Sequence, residues 1–455
     1  MEPPLLDENE QNLFANPAAD PRKMRRIIAE DPEWSLATVP RLIDICVKHI
    51  VNNFADTIRF AENPLLDELK PKHKDKVLEA LATDLPLKIT APLVSDEGYW
   101  KRCCKSRWSV CDTDQYGDSW KRMFFERNME DLIENFVPES TELLEITETL
   151  ELSKDFIKRL RIKQLLPQIK DVSSGLPQDD EISDQGSDTG TDDSLDHFDF
   201  GPIINKLPNL AELSITYGVR NCGMNFEWSL FEFTQKDCSL LAKAVKSCRH
   251  LQVLRLQRCQ IEDEKARLII SHLLDHPNLK VLDLSHNRIG DKTGRAVGKL
   301  LSVNKILEEV NLCDNNIQAE GASAIAFSLK RNSTLKTLNL KLNRIGDEGG
   351  RNICQALMQT STLLHIDLSS NGLGEHVAAN LAEVLSHNQS LEHIIIACNK
   401  LGVAGGRVLQ EGLENNKVLQ TFDLRLTDIS QQSEHSIMNV IKSNKEKSSG
   451  SAIIA

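Results

Sequence analysis

From Leu251 to Lys445 the apolar positions of the chain recur every 28 residues without a gap. Leu251, Leu279, Leu307, Leu335, Leu363, Leu391 and Leu419 fall in register, and three residues later come Leu254, Leu282, Val310, Leu338, Ile366, Ile394 and Phe422. Two residues further on stand Leu256, Leu284, Leu312, Leu340, Leu368, Ile396 and Leu424. The last two sets alternate with polar residues, the period of a strand with one buried face. Cys259, Asn287, Asn315, Asn343, Asn371, Asn399 and Thr427 follow where the chain leaves the strand and needs side chains that bond its backbone. The second half of each unit changes period. Ile269, Val297, Ile325, Ile353, Leu381, Leu409 and Ile437 are each followed four residues later by Leu or Ile, the spacing of an amphipathic helix.

The pattern L-x-x-L-x-L-x-x-N is the leucine-rich-repeat signature. Ala266, Gly294, Ala322, Gly350, Ala378 and Gly406 are small and let neighbouring helices approach. Asn304, Asn332, Asn388, Asn416 and Asn444 recur near the helix ends, where left-handed residues are expected to stop the helix. One unit cannot bury its own apolar face, so stacking is obligatory. The expected fold is an α/β solenoid with a parallel sheet inside and helices outside, preceded by a mostly α-helical N-terminal domain. A full helix in each 28-residue unit resembles the ribonuclease-inhibitor class of these repeats.

Outside the repeats the organisation is less regular. Residues 1–20 read as a flexible leader, and 21–170 as a compact helical domain with apolar faces such as Ile43, Val47, Ile50 and Met129, Leu132, Ile133, Phe136. Residues 171–200 read as an acidic disordered linker. The repeat domain is expected over 201–444, with an aromatic insertion at about 221–234, and 445–455 as a flexible tail. Ten of the 13 net negative charges lie between Asp171 and Asp199, where there is no Lys or Arg, so the net charge argues little about partners. No apolar stretch has the length of a membrane span, and Met1 to Asp20 lacks the order of a secretory signal. Eleven scattered cysteines suit reduced thiols inside a cell.

Candidate chemistry is sparse. Gly294 to Lys299 imitates a phosphate loop but is one residue short, lacks the following Ser/Thr and sits in a repeat helix. Cys103, Cys104 and Cys111 lack zinc-ligand spacing. The sequons at Asn332 and Asn388 fall in repeat turns and are expected to be unmodified. The short basic run Arg22, Lys23, Arg25 and Arg26 reads as a solvated helix start, with an acidic partner as the alternative. No catalytic residue, cofactor or metal ligand is expected. The better candidate is a protein-interaction face along the strands, formed by Arg255, Asp283, Asn311, Asn339, Asp367 and Asp423 with Arg425 beside them. Seven strands make a polar ribbon of roughly 30 Å, enough for a standard protein interface. On that expectation, alanine at Asp283, Asp367 and Asp423 weakens partner capture without lowering stability.

Several non-repeat segments carry a more specific signal. They are Met24 to Ala37 (MRRIIAEDPEWSLA), Tyr99 and Trp100 with Arg102, Cys103 and Cys104, and Ser119 to Arg127 (SWKRMFFER). Cys222 to Trp228 (CGMNFEW), Leu273 to Pro277 (LLDHP) and Phe422 to Leu426 (FDLRL) extend it into the repeats. With these segments, from about Arg22 to Asn444, the chain resembles the leucine-rich-repeat subunits of the nexin–dynein regulatory complex of motile cilia and sperm flagella. The resemblance implies a non-enzymatic subunit of the axonemal cytoskeleton that helps link doublet microtubules and regulates dynein-driven bending. It implies other subunits of that complex as partners, with doublet microtubules met directly or through them, and neither nucleic acid nor membrane. The alternative is a leucine-rich-repeat regulator of a small GTPase, of the Ran-activating kind. Under the leading reading the helical domain and the solenoid offer separate surfaces, and a chain lacking 21–170 keeps a folded solenoid.

Overall fold

The structure, a computed structural model, describes residues 41–55, 65–168 and 196–452. The expected leader, the basic run at Arg22 to Arg26 and nearly all of the acidic segment lie outside these residues. The chain divides into two compact units, 1–121 and 122–455.

The first unit is helical, with α1 (Leu42–Asn52), α2 (Leu65–Glu68), α3 (Pro71–Ala80), α4 (Leu87–Leu93) and α5 (Glu97–Arg107). Val77, Leu78, Leu81, Val94, Tyr99, Trp100, Cys103 and Cys104 are buried. The polar atoms that go in with them find backbone partners: Trp100 Nε1 donates to the Val94 carbonyl at 2.9 Å, and Lys121 Nζ donates to those of Ala91 and Val94 at 2.8 and 2.9 Å. Both cysteines are satisfied in the same way, Cys103 Sγ lying 3.8 Å from the Thr83 carbonyl. The apolar face expected at Ile43, Val47 and Ile50 is not a core face, because α1 buries no residue.

The second unit opens with α6 (Trp120–Glu134), whose first residues belong to the other unit, and α7 (Leu144–Ser153). The sheet then begins at β1 (Arg159–Ile162) and continues after α8 (Gly201–Ile204) with β2 (Glu212–Ile215). There follow α9 (Gln235–Ser247), β3 (Val253–Leu256), α10 (Asp263–Leu273), β4 (Val281–Asp283) and α11 (Asp291–Val303). Next come β5 (Glu309–Asn311), α12 (Ala319–Leu329), β6 (Thr337–Asn339), α13 (Gly346–Leu357), β7 (His365–Asp367) and α14 (Glu375–His387). The unit closes with β8 (His393–Ile395), α15 (Gly402–Leu413), β9 (Thr421–Asp423) and α16 (Gln431–Ala452). All strands pair in parallel, in sequence order from β1 to β9. This is the expected leucine-rich-repeat solenoid, and every leucine of the strand register lies in one continuous core.

Two boundaries differ from expectation. The solenoid sheet starts at Arg159, inside the segment read as a separate helical domain, because Leu160 and Ile162 pair with Leu213 and Ile215 across the acidic stretch. Met129, Ile133, Phe136, Leu160 and Leu165 belong to the same core as the repeats, so a chain without 21–170 loses part of the solenoid. The last helix runs to Ala452 instead of ending at Asn444.

Among the described residues no strand pairs with the outer side of β1, and α6 supplies what a strand would. Glu126 Oε1 accepts the backbone N–H groups of Lys158 and Arg159 at 2.9 and 3.1 Å, Glu130 that of Arg161 at 2.8 Å, and Glu134 that of Lys163 at 2.7 Å. Four helical residues rise about 6 Å and two strand residues about 6.6 Å, so glutamates at i, i+4 and i+8 meet alternate N–H groups of an edge. Burial pushes all three carboxyls up, Glu130 to about 7.

Between repeats the polar slots do similar work. Asn287 Nδ2 donates to the carbonyls of Leu256, Leu284 and Ser285, while its Oδ1 accepts from Cys259 and Ile261 N–H. Asn315, Asn343, Asn371 and Asn399 repeat the donor side. Each therefore ties its own turn to the preceding one, and removing one strands several buried backbone groups. Asn304, Asn332, Asn388, Asn416 and Asn444 also bridge to the preceding repeat. They are not left-handed stops: Asn304 and Asn388 have φ of −73° and −74°. The left-handed residues that recur in every repeat are Arg258, His286, Asp314, Leu342, Ser370, Cys398 and Leu426, with φ of 54–58°, each immediately before the ladder slot. Helix starts are capped across repeats as well, Asp263 Oδ1 accepting Gly290 and Thr293 N–H and Asp291 Oδ1 those of Gln318 and Gly321.

Candidate interaction surface on the open face of the sheet

The strand register brings Ser214, Arg255, Asp283, Asn311, Asn339, Asp367, Ile395 and Asp423 into one row across neighbouring strands. Six of the seven predicted interface residues thus share a row, with Arg425 two residues beyond it. Their chemistry differs from the expectation. Asp283 Oδ1 accepts the Ser285 N–H at 2.9 Å, Asn311 Oδ1 that of Cys313 at 3.1 Å, and Asn339 Oδ1 that of Lys341 at 3.0 Å. Asp367 and Asp423 accept in the same way from Ser369 and Arg425. Five of the predicted residues are turn formers that fix how the chain leaves its strand. Asp283, 6% exposed, also accepts Gln257 Nε2 at 2.7 Å and Asn311 Nδ2 at 3.0 Å. Alanine there removes the acceptor of the buried Ser285 N–H and of two part-buried amides, so the expectation of unchanged stability is corrected.

Charges are matched at the two ends of this face. Glu212 lies 2.6 Å from Arg255 and 3.2 Å from Arg161, linking β1, β2 and β3. At the other end Arg425 holds the Asp423 carboxyl below the usual carboxylate range. The i−2 row on the same face adds residues that the sequence reading passed over: Glu212, Glu309, Thr337, His365, His393 and Thr421. The His365 and His393 rings stack with centroids 4.3 Å apart. Burial and the neighbouring His365 pull the His393 ring down from its ordinary value. The signal was present as the same residue type 28 positions apart, but a lone histidine pair in a strand pattern is no motif.

Two further surfaces flank the strands. The left-handed row exposes Leu342 and Leu426, the latter 79% exposed, and joins His286 to Asp314 at 2.8 Å across adjacent turns. The expected aromatic insertion forms two short turns, Gly223–Asn225 and Trp228–Phe231. Phe226 packs edge-on against Trp228, which remains 70% exposed, while Phe233 is buried beside Tyr217. Beneath it the buried His197 pairs with Asp237 at 2.9 Å, and Asp237 closes a capping box with Thr234 at the start of α9. The phosphate-loop look-alike lies within α11, with Gly294 and Gly298 facing a neighbouring helix. Among the described residues no group of three or more His, Cys, Asp and Glu is placed to hold a metal. No described helix is long and apolar enough to cross a membrane.

Comparison with known proteins agrees with the repeat reading. The Leucine Rich repeat family matches residues 247–264, 275–298, 303–326, 331–354 and 387–409. The chain is 46% identical over 265 residues to a human protein named Dynein regulatory complex subunit 5, a match covering 58% of this chain and 51% of the other. It is 46% identical over 259 residues to the mouse protein of that name, covering 57% and 50%. The protein of that name from Chlamydomonas reinhardtii is 30% identical over 228 residues, half of each chain. The matched span is thus about half the length of these relatives. Among solved structures an internalin from Listeria monocytogenes is similar at 16% identity and a TM-score of 0.33, covering 52% of this chain and 67% of that one.

Proposed function

We propose that this chain is a non-catalytic interaction subunit of a dynein regulatory complex in the ciliary and flagellar axoneme, where it helps join doublet microtubules and regulates dynein-driven bending. The observation that carries the reading is the 46% identity over 265 residues to the human protein named as a subunit of such a complex. The fold is consistent with it. The leucines and asparagines of the repeats are committed to holding one turn to the next, which leaves the exposed surfaces for recognition. On the open sheet face recognition falls to side chains that do not close turns: Arg255 of the predicted row, with Glu309, His365 and His393 beside it.

The test is assembly. In flagellated cells lacking the endogenous protein, the tagged full chain is expected to fractionate with axonemes and to co-extract with other subunits of the complex, restoring the beat waveform. A chain that folds, stays in the soluble fraction and leaves beating defective sinks the proposal. Glu309→Lys, which breaks no ion pair among the described residues of the sheet, is expected to lower incorporation at a melting temperature within a few degrees of the parent if the sheet face is the docking surface.

A further inference from the structure

On the helical side of the solenoid, neighbouring helices do not pack evenly. α11 is pressed against α12: a Cβ on Gly294 would stand 2.6 Å from the Gly321 Cα, and one on Gly298 2.7 Å from the Ala324 carbonyl oxygen. Only glycine permits that approach. α10 (DEKARLIISHL) has no glycine, and between it and α11 a trough of about 710 Å³ opens.

Its floor is apolar. Leu268, Leu274 and Ala296 pack against the core on one side and remain partly exposed on the other. Its rims are basic: Arg267 on α10 and Lys292, Arg295 and Lys299 on α11 face a single carboxylate, Glu264. Glu264 holds Arg267 at 2.8 Å and Lys292 at 2.9 Å, while Arg295 stands 3.7 Å from Glu320 on the neighbouring helix. The trough therefore carries an excess of positive charge in a chain whose net charge is −13. A small anion would leave the apolar floor in water, and an apolar helix would leave the excess of positive charge unmatched.

We propose that this trough docks an acidic amphipathic helix of a partner protein, its leucine-type stripe on Leu268, Leu274 and Ala296 and its Glu and Asp flanks against Arg267, Lys292, Arg295 and Lys299. Three turns of such a helix span about 16 Å, matching the length of α10. Helix in groove is an established mode of recognition, read as anchors at i, i+3 or i+4, and i+7. The chain's own stretch Asp171 to Asp199 has the charge but not the stripe, since it is rich in Ser, Gly and Asp. The inference stands on the trough alone and not on the axonemal assignment.

Fluorescence anisotropy on the full chain tests it, with a labelled peptide of about three helical turns, leucine at i, i+3 and i+7 and glutamate on both flanks. Saturable binding is expected, weakened about tenfold by Arg295→Glu with Lys299→Glu and similarly by Ala296→Trp, which fills the floor. Circular dichroism melting of the variants is expected to match the parent, which separates lost binding from lost fold. Polyglutamate of equal length binding as tightly overturns the role of the floor. Preference for a peptide of residues 171–199 overturns the partner and assigns the trough to the chain itself. Competition by phosphatidylserine vesicles that these variants abolish reassigns it to a membrane surface. Absent binding, or binding indifferent to both variants, overturns the site.

Discussion

The two ends of the sheet meet the same physical problem with different means. At β1 a helix outside the repeat pattern lays Glu126, Glu130 and Glu134 along the open edge, and an aromatic cluster of Phe136, Phe198 and Phe200 closes the core behind it. At β9, among the described residues, no foreign element intervenes. Thr427 takes the ladder slot and turns inward to the Leu424 carbonyl at 2.6 Å, α16 covers the core with Ile437 and Ile441, and Arg425 and Leu426 stay exposed. One end is sealed by carboxylates that are costly to bury, the other by a repeat whose polar slots turn in on themselves. An exposed strand edge invites pairing with another chain, so the first end is the one built to refuse it.

Truncation is the strongest way to break this contrast. Removing residues 1–170 takes away β1, α6 and part of the core, and is expected to give an aggregating chain without a cooperative melt. Removing 445–455, beyond Asn444, is expected to shift the melting temperature by no more than a few degrees; equal tolerance at both ends ends the distinction. Asp283→Ala, inside the stack, is expected to cost on the order of 2 kcal/mol, since it leaves the buried Ser285 N–H unpaired and takes the acceptor from the part-buried Gln257 and Asn311 amides. Asp423→Ala at the last strand, where Arg425 is 80% exposed, is expected to cost much less in chemical denaturation.

Glu130→Gln sharpens the comparison through pH. The folded carboxyl titrates at about 7, above its unfolded value, so the native state holds the extra proton between roughly 4.3 and 7 and loses stability as pH rises through that window. The amide keeps an acceptor for Arg161 N–H and is expected to be more stable than the parent at pH 8, by on the order of 2 kcal/mol, with the gap closing near pH 4. A gap independent of pH rules out titration of this group. The smallest effect is expected at His276, which fills the slot of Asn304 one repeat earlier. Its Nδ1 accepts Leu279 N–H and its Nε2 lies 3.0 Å from the Cys248 carbonyl, so the neutral ring is the one that fits, and burial lowers its pKa. Its contribution is complete above about pH 6.5 and fades as pH falls below that value. His276→Asn is expected to flatten the acid limb of a stability curve and to leave stability at pH 8 unchanged.

The repeats could be read from the sequence because their leucines must alternate and recur to close a shared core. The pairing of Leu254 with Leu282 and of Leu282 with Val310 follows from that alone. β1 could not be read, although Leu160 and Ile162 alternate correctly, because the acidic stretch breaks the period that would have identified them. The predicted polar row was placed correctly and misread chemically. A turn that closes from a side chain to the N–H two residues on leaves the same alternation of polar and apolar letters as a solvated face. The left-handed row was hidden for a related reason: Arg, His, Asp, Leu, Ser and Cys occupy it, so no residue type marks it.

The register of β1 on β2 sets an order of events on the ribosome. Every later strand finds its neighbour one repeat behind it, already made. The first strand emerges with α6 alongside and must wait, its far edge open, until the whole acidic stretch and α8 have been synthesised. A block of ten carboxylates with no apolar run is a suitable spacer for that interval, because it offers the waiting strand nothing to pair with by mistake.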